Sequence, residues 1–114
     1  MMYKEAIKTI FDIVIENFNL TYNDDIIAKI TIEDIIDKNK TAHIVIARSV
    51  IVNQLIKYGF DIATCSSIMN RTKTSIRNLL KIYNSNINNK LYNDLYNNID
   101  NACKNAMKDF IKEH

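Results

Sequence analysis

A chain of 114 residues with no proline and a single glycine holds few residues that interrupt a helix, which excludes a loop-rich or all-β protein. Its length suits one domain spanning residues 1–114, and its two cysteines stand apart without metal-ligand spacing, which indicates free thiols. The net charge is +2, but residues 1–36 carry −4, residues 37–83 carry +6 and residues 84–114 are neutral. Positive charge is therefore concentrated in the middle of the chain.

The start of the chain, MMYKEAIKT, contains charged residues early and lacks the apolar core of a signal peptide. No apolar run approaches the ~20 residues that a membrane helix requires. We therefore expect a cytoplasmic protein of a bacterial or phage-infected cell, without a membrane partner.

Residues 3–18 place apolar and charged side chains at the spacing of an amphipathic helix of about four turns. The apolar positions are Ala6, Ile7, Ile10, Phe11, Val14, Ile15 and Phe18, and the charged positions opposite them are Lys4, Glu5, Lys8, Asp12 and Glu16. Packing into the core is the expected use of this helix, and binding of a partner is the alternative.

Residues 19–40 allow two interpretations. A short helix can follow the turn-forming residues 23–25, and Thr31 with Asp34 can open a second one. The segment 29–33 alternates like a strand, but a lone strand would have no partner in this chain. We therefore favour short helices.

The segment from Thr41 to Tyr58 has so wide an apolar stripe that it predicts a largely buried helix, capped by Thr41. Gly59 can adopt the left-handed conformation that ends a helix. Arg48 interrupts the apolar face. Either it is a snorkelling side chain or a member of an ion pair, or it holds a DNA phosphate. His43 has no second ligand at metal spacing, so a partly satisfied surface histidine is expected.

Residues 60–83 predict two helices separated by a short break. Asp61 can cap the first helix, Asn70 can take left-handed geometry at the break, and Thr72 can cap the second. The break is too short for two helices that pack side by side, which indicates a helix-turn-helix. The buried face of the second helix is expected to consist of Ile76, Leu79, Leu80 and Tyr83.

A last helix, capped by Ser85 or Asn86, is predicted to reach about residue 112. Its apolar stripe repeats nearly every four residues, at Ile87, Leu91, Leu95, Ile99, Ala102, Ala106 and Phe110. Core packing is the expected use of this stripe, and homodimerisation through the helix over 86–112 is the alternative. Together these patterns predict an all-α fold: a compact helical domain of five to six helices with a helix-turn-helix and a long C-terminal helix.

A recognition helix places its N-terminal part in the major groove, where cations meet phosphates and short polar side chains meet base edges. The helix over 72–83 offers both kinds of side chain, and its free N–H groups can also hold a phosphate. We expect Lys73, Thr74 and Ser75 near bases, and the arginines and Lys81 near phosphates. The predicted residues for binding double-stranded DNA are Arg48, Arg71, Thr72, Lys73, Thr74, Ser75, Arg77, Asn78 and Lys81.

Three segments stand in a characteristic order, namely Ala47-Arg48, Asn70-Arg71-Thr72-Lys73-Thr74-Ser75-Ile76 and Leu80-Lys81-Ile82. In this order the stretch from about Ala47 to Ile99 resembles the C-terminal DNA-binding domain of the bacterial replication initiator DnaA. That family has Ala-Arg in its buried helix, Gly-Arg-Asp-His-Thr-Thr-Val at the start of its recognition helix and Lys-Ile near its end. The resemblance implies a stand-alone relative, encoded by a phage or mobile element, that docks on DNA in transcription or replication control.

The chain departs from the family where bases are read. Thr72 and Lys73 replace the Asp-His pair, and Asn70 replaces the glycine, so the docking mode is expected to carry over but not the preferred DNA sequence. With one glycine the chain cannot form a phosphate-binding Walker loop, so no ATPase is expected.

A protein-interaction or structural module that keeps the scaffold without binding DNA is the alternative, and the altered motif and acidic N-terminal third favour it. An enzyme is not expected, because no nucleophile stands with a base, and no carboxylate pair or metal cluster is evident. No catalytic, metal or cofactor-binding residue is predicted.

Overall fold

The computed structural model describes residues 2–21, 29–38 and 41–112, with side chains from residue 4 to residue 108 within those ranges. The described residues form helices and no strand, which confirms the predicted all-α class with a long C-terminal helix. The helices are α1 (Met2–Thr21), α2 (Ile32–Ile36), α3 (Ala42–Lys57), α4 (Ile62–Met69), α5 (Lys73–Asn86) and α6 (Lys90–Lys112).

Helix α1 confirms the amphipathic helix predicted over 3–18 and extends it at both ends. Its buried residues are Ile10, Phe11, Val14 and Phe18. This face packs against α3 and α6, so the apolar stripe belongs to the core, as expected.

Helix α2 is short and is fixed at its start by side-chain bonds. The Thr31 hydroxyl accepts from the Asp34 N–H at 3.2 Å, and the Asp34 carboxylate accepts from the Thr31 N–H at 2.9 Å, which is a capping box. Asn19 of α1 holds the backbone of Ile30 through two hydrogen bonds, of 2.8 and 3.0 Å. The helix predicted behind residues 23–25 lies outside the described residues.

Helix α3 is the centre of the fold, because it packs against α1, α2, α4, α5 and α6. Its buried apolar residues are Ile44, Ala47, Val50, Ile51, Val52 and Leu55. It ends at Lys57, and Gly59, two residues further on, has a left-handed φ of 99°. The Phe60 N–H bonds the Leu55 carbonyl and the Gly59 N–H bonds the Ile56 carbonyl, which together form a Schellman motif. Thr41 precedes the helix without a side-chain capping bond, which corrects the predicted cap.

The boundary between α5 and α6 differs from the prediction. Ser85 and Asn86 lie inside α5, where their side chains donate to the carbonyls four residues earlier instead of capping α6. The side-chain oxygen of Asn89 accepts from the Leu91 N–H at 2.9 Å at the start of α6. Asparagine and serine fit both roles locally, so the pattern did not distinguish them.

The stripe of α6 lies mainly in the core of its own chain. Leu95, Ile99, Cys103 and Met107 are buried, and α6 packs chiefly against α1. Tyr96 stacks on Tyr83 of α5 with ring centroids 4.8 Å apart. The exposed apolar residues of this region are Ile87, at 45% exposure, and Leu91, at 79%. Homodimerisation through α6 stays a prediction, and Ile87 and Leu91 are exposed apolar residues that could contribute to it.

Candidate nucleic-acid interface

The turn between α4 and α5 is fixed by backbone geometry. Asp61 caps α4 by accepting from the Thr64 N–H at 2.8 Å. Hydrogen bonds from the side chain and then from the backbone of Thr64 lower the pKa of the Asp61 carboxyl. Asn70 ends α4 with a φ of 53°, in the left-handed region that asparagine tolerates better than most residues. The Asn70 N–H bonds the Ser67 carbonyl and the Arg71 N–H bonds the Ser66 carbonyl, a second Schellman motif. Three residues, 70–72, thus connect the two helices of the helix-turn-helix.

Helix α5 starts with a side-chain cap. The Thr72 hydroxyl accepts from the Ser75 N–H at 3.1 Å and lies 3.0 Å from the Ser75 hydroxyl. Both hydroxyls therefore serve the helix start. Ser75 is half-buried beside the core face, so it lies off the exposed face on which it was predicted to approach bases.

The outward face of α5 is cationic and polar. Ile76, Leu79 and Tyr83 face the core, as predicted, whereas the exposed residues include Lys73, Thr74, Arg77, Asn78 and Lys81. Lys73, Arg77 and Lys81 recur every four residues, so their positions form one row about 12 Å long. We call these five exposed residues the cationic face.

All charged residues in the sequence around the cationic face, between Asp61 and Asp94, are positive. No acidic residue lies between Asp61 and Asp94. Lys73 helps to lower the pKa of the Asp61 carboxyl, after the larger effect of its hydrogen bonds to Thr64. Within the described part of the chain, no salt bridge joins an acidic side chain to Lys73, Arg77 or Lys81. These charges are therefore available to an anion in solution.

Arg48 lies inside the protein, which removes it from the predicted DNA-binding set. Its side chain is 3% exposed. Its guanidinium donates to the carbonyls of Asp34, Ile35 and Asp37 at 2.9, 2.8 and 2.6 Å. These carbonyls lie at the C-terminal end of α2, where a helix leaves acceptors without partners. Burial, and then the neighbouring Arg71, lower the pKa of Arg48, but an arginine stays protonated at neutral pH.

Arg71 bonds carbonyls at the same end of α2 as Arg48 does. Its guanidinium donates to the carbonyls of Ile35, Ile36 and Met69 at 3.2, 3.3 and 2.8 Å, and also to that of Asp37. Burial lowers its pKa. Two arginines thus close one helix end, and we call them the arginine clamp. Arg71 was predicted to contact phosphate, but both terminal nitrogens of its guanidinium already bond carbonyls within the protein.

Cys65 and Cys103 are buried and His43 is half-buried. Burial raises the pKa of the Cys65 and Cys103 thiols to about 11, so both are protonated at neutral pH. His43 is partly buried, with its ring 5.5 Å from that of Phe18. Among the described residues no group of three or more His, Cys, Asp or Glu side chains could hold a metal ion. In the same residues, no helix has the length and apolar character needed to span a membrane.

The geometry thus defines a class of protein: an all-α chain with a helix-turn-helix whose second helix exposes a cationic face. Comparisons with models of protein families, with curated proteins and with solved structures give no match. The resemblance to the DNA-binding domain of DnaA therefore rests on the sequence order described above.

Proposed function

We propose that this protein binds double-stranded DNA, with α5 in the major groove in the manner of a helix-turn-helix protein. The observation that carries the proposal is the cationic face, which lies on α5, the second helix of the motif. Neither α4 nor α5 contains an acidic residue. An α-helix fits the major groove, and the N-terminal residues of a recognition helix contact base edges. In this arrangement Thr74 and its neighbours approach bases.

The arginine clamp supports this function indirectly. Arg71 stands immediately before the Thr72 cap, and its bonds to residues 35–37 connect the start of α5 to the end of α2. Arg48 connects the same carbonyls to α3. The start of the recognition helix is thereby held against two other helices, which reduces the ordering needed when DNA binds.

The resemblance to DnaA supports a role in transcription or replication control. Lys73 stands where the family has a base-contacting histidine, so we propose a different target sequence. The chain would then act as a stand-alone DNA-binding module encoded by a phage or mobile element.

The second candidate is a protein-interaction module on the same scaffold. Leu91, 79% exposed, and Ile87, 45% exposed, favour it, because exposed apolar side chains suit a partner protein better than DNA. The acidic N-terminal third favours it as well. If the protein is such a module, it should not bind duplex DNA, and no salt-dependent affinity should be measured.

Affinity for duplex DNA at several salt concentrations separates the two candidates. Log affinity should fall linearly with log salt for the native protein, because phosphate contacts release counterions. Lys73→Ala and Lys81→Ala should each reduce that slope by about 1 and weaken binding to all sequences. Lys4→Ala, which removes one exposed charge from α1, is the matched control and should leave the slope unchanged. A flat salt dependence in the native protein would refute DNA binding.

A further inference from the structure

The chain carries most of its positive charge on lysine, with twelve lysines against three arginines, so each arginine calls for an explanation. Arg48 and Arg71 each bond several carbonyls at once in the clamp. A planar guanidinium can make such multiple bonds in fixed directions, whereas the compact lysine ammonium cannot. The roles of Arg48 and Arg71 therefore require the several fixed donors of a guanidinium group.

Arg77 is the third arginine, and it is exposed on α5. Its side chain makes no hydrogen bond and no salt bridge with any other residue that the structure describes. No contact among the described residues explains the choice of arginine here. The other two arginines each bond several acceptor oxygens at once, and the same use of Arg77 points to a ligand outside the chain that presents more than one acceptor.

The position of Arg77 on α5 indicates which part of the DNA it would contact, a base edge or a phosphate. At about 100° per residue, the cationic face spans an arc of about 140° from Lys73 to Asn78. Thr74, Arg77 and Lys81 lie in the middle of that arc. Arg77 is one helical turn nearer the N-terminus than Lys81, and the N-terminal part of a recognition helix is the part that meets base edges. Edge positions of such a helix face the phosphate walls of the groove instead.

We propose that Arg77 contacts a guanine base edge and sets a preference for a G·C pair in the target. This inference rests on the proposed DNA-binding function and replaces the phosphate contact expected from the sequence. Guanine presents two acceptors, O6 and N7, in the major groove, and an arginine that donates to both makes the commonest base-specific contact. Lys73 and Lys81 then contribute charge, and Arg77 contributes discrimination.

The test begins with selection of preferred duplexes from a random pool by the native protein. Affinities are then measured for the selected duplex and for duplexes in which each G·C pair is replaced in turn, with native protein, Arg77→Ala, Arg77→Lys and Lys81→Ala. Replacing one particular G·C pair should weaken native binding about 10- to 100-fold but change Arg77→Ala binding by less than about 2-fold. Lys81→Ala should bind every duplex more weakly and keep the native preference.

A second probe isolates the contacted atom. Substitution of 7-deazaguanine at that position removes N7, so native binding should weaken while Arg77→Ala binding stays the same. The inference is overturned if Arg77→Ala weakens all duplexes equally, or if the native protein binds duplex DNA without sequence preference. In both cases the proposed function survives, whereas a native protein that binds no duplex at all refutes both.

Discussion

Replacing Arg48 with methionine distinguishes an internal arginine from one that contacts DNA. Arg48→Met keeps much of the side-chain volume and removes three hydrogen bonds to α2 carbonyls. Ile35 and Asp37 retain a donor from Arg71, so the carbonyl of Asp34 is the one that loses its only side-chain partner.

The magnitude follows from this sharing of acceptors. A hydrogen bond from a charged donor contributes about 1.5–3 kcal/mol, and a buried carbonyl left without a partner costs about 1–3 kcal/mol. Two of the three carbonyls keep a partner, and the variant no longer buries a charge, which offsets part of the loss. We expect the free energy of unfolding to fall by about 2–4 kcal/mol, which is large against the ~5–15 kcal/mol typical of a domain.

Urea unfolding followed by circular dichroism measures this change. The midpoint should fall by about 1–2 M at an unchanged slope. Arg77→Met, on the exposed face of α5, is the matched control and should change stability by less than about 0.5 kcal/mol. Below the transition, folded Arg48→Met should bind DNA with the native salt dependence.

The opposite pattern would refute the assignment of Arg48 to the clamp. That pattern is native stability together with a salt slope reduced by about 1, because it would identify Arg48 as a phosphate contact. A double-mutant cycle with Arg71→Met adds an internal check. Because the two arginines share acceptors, their effects should differ from additivity by at least about 0.5 kcal/mol.

Three further predictions concern the turn and the thiols. Thr72→Ala should lower the free energy of unfolding by about 1 kcal/mol through loss of the helix cap, and unchanged urea unfolding would contradict this. Asn70→Gly should be neutral or stabilise by up to about 1 kcal/mol because of the left-handed φ, whereas Asn70→Val should destabilise by at least as much. Cys65 and Cys103 should react slowly with a thiol reagent at pH 8 until the protein unfolds. The pKa of each thiol is about 11 in the folded state and 9.0 ordinarily, so the unfolded chain loses these protons first as pH rises. The free energy of unfolding should therefore fall between pH 9 and pH 11, and it should fall less in Cys→Ser variants.

The sequence by itself determined the helices and much of the turn. Asp61, Asn70 and Thr72 act through bonds that span at most five residues, so residue type and spacing were sufficient to predict them. The exposed row on α5 followed from helical periodicity for the same reason. Local ambiguity explains the errors at the start of α3 and α6, where threonine, serine and asparagine can bond in more than one way.

Only the tertiary structure decided which arginines face solvent. Arg48 bonds carbonyls 11 to 14 residues away and Arg71 bonds carbonyls up to 36 residues away, at the end of a helix to which neither arginine belongs. A basic residue in an amphipathic pattern does not reveal whether its partner is a phosphate or a distant helix end. The packing of α2 against α3 supplies that partner, and it leaves Arg77 as the arginine whose guanidinium the described fold does not bond.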